Sequence, residues 1–125
     1  MATNVRIIHA NQFIKAALTG EVDLEASKRV MFEIAGASVS LADFEIILDF
    51  RKAHSTLSVT DLWYLAAGLS DFRKTFACRK TAVLCPAEEF SLAEFFALCA
   101  QNRGFDVQAF TCFEDAMNWL TADGT

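Results

Sequence analysis

Several residue types and patterns are scarce in this chain of 125 residues, and each shortage excludes a class of protein. There is one proline and there are five glycines, while 54% of the residues are apolar. This composition argues against a disordered or linker-rich chain. No apolar run is long enough to span a membrane, and residues 1–13 lack the charged-then-apolar layout of a signal peptide. We therefore expect one cytoplasmic domain over residues 1–125, with a core from about 5 to 121.

Patterns for binding metals and nucleic acids are also missing. The four cysteines form no CxxC pair, and His9 and His54 are far from them in sequence, so the spacing predicts no zinc site and no other metal or cofactor. Three of the four cysteines lie in apolar patterns, which predicts small buried thiols in a reducing compartment. The net charge of -5 disfavours nucleic acid as a partner, because phosphate binding needs a cationic surface.

What the sequence does contain is an alternation of strand and helix patterns. Apolar runs of strand length and composition occupy Val5–His9, Phe13–Leu18, Phe44–Phe50, Thr81–Cys85 and Val107–Phe110. The order ββαβαβαβα predicts an antiparallel start followed by parallel strands with right-handed crossovers. We therefore expect an α/β fold with a mixed, mostly parallel sheet flanked by about four helices.

Start and stop signals bound the four helices. Asp23 is expected to cap a helix that runs from Leu24 to about Ala35, where Gly36 ends it. The other three helices follow capping-box patterns, in which a hydroxyl and a carboxylate three residues later satisfy free amides of the first turn. These pairs are Ser58 with Asp61, Ser91 with Glu94, and Thr111 with Glu114. Thr19 and Gly20 are expected to end the second strand, and Gly104 to end the third helix.

The stretch from Phe44 to Leu62 is the best candidate for a functional site. Its apolar run predicts a strand buried on both faces, and the carboxyl end of such a strand is where α/β sheets usually bind ligands and partners. A polar turn from Arg51 to Ser58 is predicted there. The candidate site residues are Arg51, His54, Ser55, Thr56 and Ser58, with Trp63 on the helix that follows.

The chain resembles STAS domains, and more closely the small bacterial proteins called SpoIIAA-like. The resemblance rests on the strand order, the LDF strand end at Leu48–Phe50, the helix start near Ser58 and the closing segment Val107–Leu120. That closing segment is similar to the group's last strand and helix, with a phenylalanine, an acidic turn and an Ala-x-x-Trp-Leu ending. The resemblance implies the fold and a regulatory or protein-binding role.

The resemblance also points to one serine. In anti-sigma factor antagonists, a serine within an Asp-Ser-Ser-Gly motif opens the helix after the third strand and is phosphorylated by a partner kinase. Counting from Asp49, that serine falls on Ser58. Leu57 stands where the motif has aspartate, and Val59 and Thr60 stand where it has serine and glycine. The resemblance therefore implies the fold and a regulatory or binding role and not a phosphorylation cycle. Ser58 itself is a helix cap in the first place, with an interaction residue or a phosphosite as the alternative.

Three classes of function follow from these observations. The first is a non-enzymatic regulatory or interaction module that binds a protein partner through the Arg51–Ser58 loop and the next helix, with Trp63 or Tyr64 supplying exposed aromatic area. The second is a carrier or sensor of a hydrophobic small molecule or lipid, with a cavity lined by Phe90, Phe95, Phe96, Phe110 and Phe113.

The third class is an enzyme that uses His54 with Ser55 or Ser58, but no nucleophile elbow, phosphate loop or metal motif supports it. Arg51, Lys52 and His54 form a candidate anion-binding rim, for which an ordinary solvated surface is the alternative. The oligomeric state stays open, with a homodimer as the commonest assembly. A closed interior with exposed aromatics near Trp63 would favour the interaction module, and a cavity of a few hundred Å³ would favour the carrier.

Overall fold

The computed structural model describes residues 4–10, 13–38, 44–77 and 79–122. The predicted turn at Asn11 and Gln12, and Cys78, lie outside these residues. The strands are β1 (Asn4–Ala10), β2 (Phe13–Val22), β3 (Glu45–Ser55), β4 (Lys80–Leu84) and β5 (Asp106–Phe110). The helices are α1 (Leu24–Ser38), α2 (Val59–Gly68), the short α3 (Arg73–Phe76), α4 (Phe90–Gln101) and α5 (Phe113–Thr121), with 3-10 turns at Leu69–Phe72 and Ala87–Glu89.

The five strands form one mixed sheet in the order β1-β2-β3-β4-β5. β1 and β2 pair antiparallel, and all the other neighbouring pairs are parallel. This arrangement confirms the predicted element order and the mixed, mostly parallel sheet. Four full helices flank the sheet as expected, and the one-turn helix α3 is an addition that the hydrophobic pattern does not predict.

The sheet has a large apolar core on one face and a small one on the other. The large core joins alternate residues of β2 and β3 to α1, α2 and α4, and includes Ile14, Ile34, Ile46 and Ala66. On the other face α5 covers a smaller cluster made by Ile47, Ala82, Leu84, Ala116 and Leu120. Burying each large aliphatic side chain contributes about 1.5–3 kcal/mol, so the large core is the main source of stability.

β2 and β3 extend further than the sequence indicates, which corrects the predicted polar turn at Arg51–Ser58. The register shifts between Ala17 and Thr19, and the two strands then continue in parallel until Val22 pairs with Ser55. Gly20 permits this extension because it adopts a positive φ of 85°. Ala53 and Val22 stay buried, so the inward alternation persists while polar residues occupy the outward positions. The turn before α2 is only Thr56–Ser58.

Two of the predicted capping boxes and one predicted helix end are wrong. α4 begins at Phe90, directly after the 3-10 turn that follows Pro86, and this places Ser91 inside the helix instead of before it. α5 has Cys112 at its N-cap, so Thr111 lies one residue too early for its hydroxyl to cap the first turn. Gly36 lies within α1, which continues to Ser38.

The other helix signals are confirmed. The Ala26 amide donates to Asp23 Oδ1 at 2.8 Å, so Asp23 caps α1. Gly104 follows the last turn of α4 with a φ of 90°, as expected for a glycine that ends a helix.

Candidate functional site

Ser58 opens α2 with a complete capping box. The Asp61 amide donates to Ser58 Oγ at 3.1 Å, and the Ser58 amide donates to Asp61 Oδ2 at 3.0 Å. This pair satisfies two of the free amides at the helix start, and the Ser58 side chain is exposed. The predicted cap is therefore confirmed, and its hydroxyl stands at the surface beside the positive end of the helix dipole.

Three basic residues from the end of β3 line an open cleft of about 510 Å³, but they do not form the predicted cationic rim. Arg51, Lys52 and His54 share this cleft with an equal number of acidic residues, Glu21, Glu88 and Glu89. Because the acidic residues of this cleft match the basic ones in number, the cleft has no excess of positive charge that would favour an anion.

Ser55 and Thr56 are held in the structure by local hydrogen bonds. Ser55 Oγ accepts from the Leu57 amide at 3.2 Å, and Thr56 Oγ1 donates to the Val22 carbonyl at 3.3 Å. The Ser55 amide donates to Glu89 Oε1 at 3.2 Å, and His54 Nδ1 lies 3.8 Å from Glu89 Oε2. Glu89 thus joins the end of β3 to the start of α4. Among the residues that the structure describes, no hydrogen bond joins a serine hydroxyl to His54 in the manner of a nucleophile and base.

Arg51 belongs to an ionic cluster around Asp49 that sequence analysis missed. Arg51 donates through Nε to Asp49 Oδ1 at 2.9 Å and through a terminal nitrogen to Oδ2 at 2.8 Å. Lys15 Nζ lies 3.5 Å from the same carboxylate, and both cations stand over the Phe113 ring. Arg51 and Asp49 are two residues apart in a strand, so they share a face. That spacing is the signal that could have predicted the pair.

The electrostatics of this cluster follow from its geometry. Burial raises the pKa of Asp49, but the hydrogen bonds and charge of Arg51, together with the charge of Lys15, outweigh burial and leave that pKa below its usual value of 3.8. The hydrogen bond to Asp49 raises the pKa of Arg51. Arg51 is therefore committed to a structural ion pair and is poorly available to a partner.

The outer side of α2 carries a patch of exposed apolar side chains. Val59, Trp63 and Tyr64 have 54%, 49% and 59% of their surface exposed. The rings of Trp63 and Tyr64 meet edge to face with centroids 5.6 Å apart, and the Arg103 guanidinium lies 5.3 Å from the centre of the Trp63 ring. We call Ser58, Val59, Trp63 and Tyr64 the α2 surface. Leu98, on the neighbouring helix α4, is also exposed.

The large core contains a small apolar cavity. It has a volume of about 80 Å³, well below the roughly 300–1,000 Å³ of pockets for drug-sized ligands. Of the phenylalanines predicted to line a carrier cavity, Phe96 does so, whereas Phe90, Phe95, Phe110 and Phe113 lie elsewhere. The volume therefore leaves no room for a lipid.

The cysteines of the described chain are free and differ in exposure. Cys85 is buried and lines the cavity, Cys99 is half-buried, and Cys112 is exposed although its neighbours in sequence are mostly apolar. Burial, together with the charges of Glu89 and Glu88, raises the pKa of the Cys85 thiol to about 11. Cys85 is consequently a protonated, unreactive thiol at neutral pH.

The basic residues that follow α2 and lead into β4 lie away from the end of β3. Lys80 starts β4, at the opposite end of the sheet from Arg51. Its ammonium donates to the carbonyls of Trp119 and Ala122 at 2.9 and 3.0 Å. These hydrogen bonds place a positive charge at the C-terminus of α5, where the helix dipole favours a cation. Arg73 and Arg79 stack on the rings of Phe105 and Phe44, so these residues stabilise the fold.

The described ranges contain neither a metal-binding cluster nor a membrane-spanning helix. No cluster of three or more His, Cys, Asp or Glu side chains there is arranged to hold a metal ion. None of the helices described is both long and apolar enough to cross a membrane.

The architecture is that of the SpoIIAA-like, or STAS, fold. No protein-family model matches the sequence, and no curated protein is significantly similar to it. A crystal structure of an uncharacterised protein of the DUF3478 family with a SpoIIAA-like fold, from Shewanella loihica, is 17% identical. The match covers 94% of this chain and 93% of that one, with a TM-score of 0.58.

Two further solved structures share the fold. An anti-sigma factor antagonist from Mycobacterium paratuberculosis is 16% identical over 97% of this chain and 96% of its own, with a TM-score of 0.64. The anti-sigma factor antagonist SpoIIAA in its unphosphorylated form is 14% identical over 93% and 96%, with a TM-score of 0.55. These likenesses confirm the predicted fold.

Proposed function

We propose that this protein is a non-enzymatic regulatory module that binds a protein partner through the α2 surface. The observation that carries the proposal is the exposure of Trp63 and Tyr64 side by side on one helix. Large aromatic side chains at a surface are costly to leave hydrated, and they are the residues that most often dominate binding energy in protein interfaces. The partner's contact surface is expected to be apolar at its centre, to match Val59 and the two rings.

The names of two solved structures with this fold support a protein as the partner. An anti-sigma factor antagonist acts, by its name, on another protein. The carrier alternative is less well supported, because the interior cavity of about 80 Å³ is too small for a lipid. The cleft near His54 is lined by equal numbers of acidic and basic residues, so it gives little support to an enzyme or an anion receptor. The α2 surface gives stronger support to a protein interface.

A negative charge introduced at Ser58 tests whether the α2 surface binds the partner. Aspartate is as good an N-cap as serine, and Asp61 already places one carboxylate in the same turn. We therefore expect Ser58→Asp to keep a melting temperature close to that of the wild type. In the complex, an uncompensated negative charge at the interface costs several kcal/mol, so the same variant should bind the partner much more weakly.

The partner is identified by affinity capture from a lysate of the native host, followed by mass spectrometry. Wild type, Ser58→Asp, Ser58→Ala and Trp63→Ser are compared, with Phe32→Ser as the matched control, because Phe32 is an exposed aromatic on a different helix. We expect one protein to be retained by wild type, Ser58→Ala and Phe32→Ser and lost from Ser58→Asp and Trp63→Ser. Equal retention by all five baits would contradict the proposal.

A further inference from the structure

The cavity in the large core is bounded by the sheet and by four helices. Its walls come from α1, β3, α2, α3, β4, α4 and β5, and they are almost wholly apolar. Phe50, Phe76 and Phe96 line it from three different elements, and aromatic walls favour flat apolar ligands through offset and edge contacts. An apolar cavity of this kind stays dry, because water inside it would lack hydrogen-bond partners.

One polar side chain in this wall has no hydrogen-bond partner. Thr81 is 2% exposed and lines the cavity from β4. Its Oγ1 is buried and makes no hydrogen bond within the part of the chain that the structure describes. A single χ1 rotation exchanges Oγ1 with the methyl group of threonine, so the hydroxyl can face the cavity. A buried hydroxyl without a partner is unfavourable, and a bound polar atom would remove that cost.

The cavity has one end that is less deeply buried. Ser55, Leu57, Glu89 and Leu92 are half-buried and lie together where β3 runs into α2 and the 3-10 turn runs into α4. The contact between the Ser55 amide and Glu89 spans this end. The cavity therefore lies closest to solvent at this end.

We propose that this cavity is a binding site for a small apolar molecule, smaller than benzene, that carries one hydroxyl or carbonyl group. The volume sets the size, since an engineered apolar cavity of about 150 Å³ in another protein binds benzene and this one is only about 80 Å³. Thr81 sets the chemistry, because its hydroxyl lines the cavity and has no hydrogen-bond partner within the described residues. The site is separate from the α2 surface and does not depend on the proposed partner.

The test uses propan-2-ol and propane, two probes smaller than benzene that differ by one hydroxyl, with the full chain. Thermal unfolding and methyl NMR spectra are recorded for wild type and Thr81→Val, which keeps the shape and removes the hydroxyl. Thr75→Val is the matched control, because Thr75 is also a buried threonine but is not in the cavity wall. Its hydroxyl lies 3.5 Å from Ser38 Oγ.

We expect both probes to raise the melting temperature with concentration and to shift the methyl signals of Val83 and Leu65, which line the cavity. The ratio of the propan-2-ol affinity to the propane affinity should be roughly three- to tenfold higher in wild type and Thr75→Val than in Thr81→Val, the factor expected for one neutral hydrogen bond. Equal preference in Thr81→Val and wild type, or no shift of these methyl signals with either probe, would overturn the proposal.

Discussion

Asp49 shows how one carboxylate can link stability to pH. It is nearly buried and is held by Arg51 and Lys15, and its pKa is lower in the folded protein than the usual 3.8. A group of this kind adds stability above its unfolded pKa, and that stability is lost as the pH falls through the folded pKa. The contribution of Asp49 is therefore complete at neutral pH and disappears in acid.

We expect Asp49→Asn to lower the free energy of unfolding at pH 7 by roughly 1–3 kcal/mol, the cost of removing a charged hydrogen-bond partner. The difference between the variant and wild type should shrink as the pH falls below 3.8 and through the lowered pKa of folded Asp49, because the wild-type carboxylate then becomes protonated too. Urea unfolding at a series of pH values measures this. A difference that stays constant across that range would show that the ion pair is not the cause.

Ser58, Ser91 and Thr111 carry the same sequence pattern but differ in the structure. Only Ser58 makes the reciprocal hydrogen bonds of a capping box. We expect Ser58→Ala to destabilise by about 0.5–2 kcal/mol, and Ser91→Ala and Thr111→Ala to stay within about 0.5 kcal/mol of wild type. Urea midpoints for the three variants decide this. A loss at Ser91 or Thr111 as large as at Ser58 would mean that the helix starts differ from those described.

At the scale of elements, two glycines at or near helix ends make opposite contributions. Gly36 lies within α1 and Gly104 follows α4 with a φ of 90°, and in both cases a Cβ atom would meet no neighbour within 4 Å. We expect Gly36→Ala to stabilise by about 0.5–1 kcal/mol, because alanine favours the helix and restricts the unfolded chain. Gly104→Ala should destabilise by about 1–2 kcal/mol through backbone strain. Chemical denaturation of both variants would contradict this account if the two changes had the same sign.

The strands show where sequence patterns stop being informative. The apolar run from Phe44 to Phe50 predicts the buried part of β3, because burial on both faces selects apolar residues. The part from Arg51 to Ser55 has polar residues at its outward positions and only Ala53 fully buried. It is a strand because β2 supplies a partner beyond the bulge. That pairing is tertiary, and no local pattern encodes it.

The helix starts show a related limit. A serine or threonine followed three residues later by an acid predicts a cap only if the helix begins at the next residue. At Ser91 the 3-10 turn after Pro86 shifts the start to Phe90, and at Thr111 the start shifts to Phe113. A hydroxyl at the right spacing is therefore not sufficient to predict a cap.

At the scale of the whole molecule, the fold was predictable and the site was only partly so. The alternation of strand and helix patterns gives the order and pairing of the sheet, because short connections and right-handed crossovers leave few alternatives. The predicted site residues, however, divide among three places. Arg51 pairs with Asp49, His54 and Ser55 meet Glu89, and Ser58 and Trp63 share α2. Sequence proximity placed them together, but strand alternation and helix geometry separate them.

The α2 surface is the part of the predicted site that we propose as the interface, and one titration tests this proposal most directly. The dissociation constant of the captured partner is measured by calorimetry for wild type, Trp63→Ala and Phe32→Ala. A central aromatic in an interface contributes about 2 kcal/mol or more, so we predict that Trp63→Ala weakens binding by roughly 30-fold or more and that Phe32→Ala leaves it unchanged. Wild-type affinity in Trp63→Ala, with an unchanged melting temperature, would contradict the assignment of the α2 surface as the binding site.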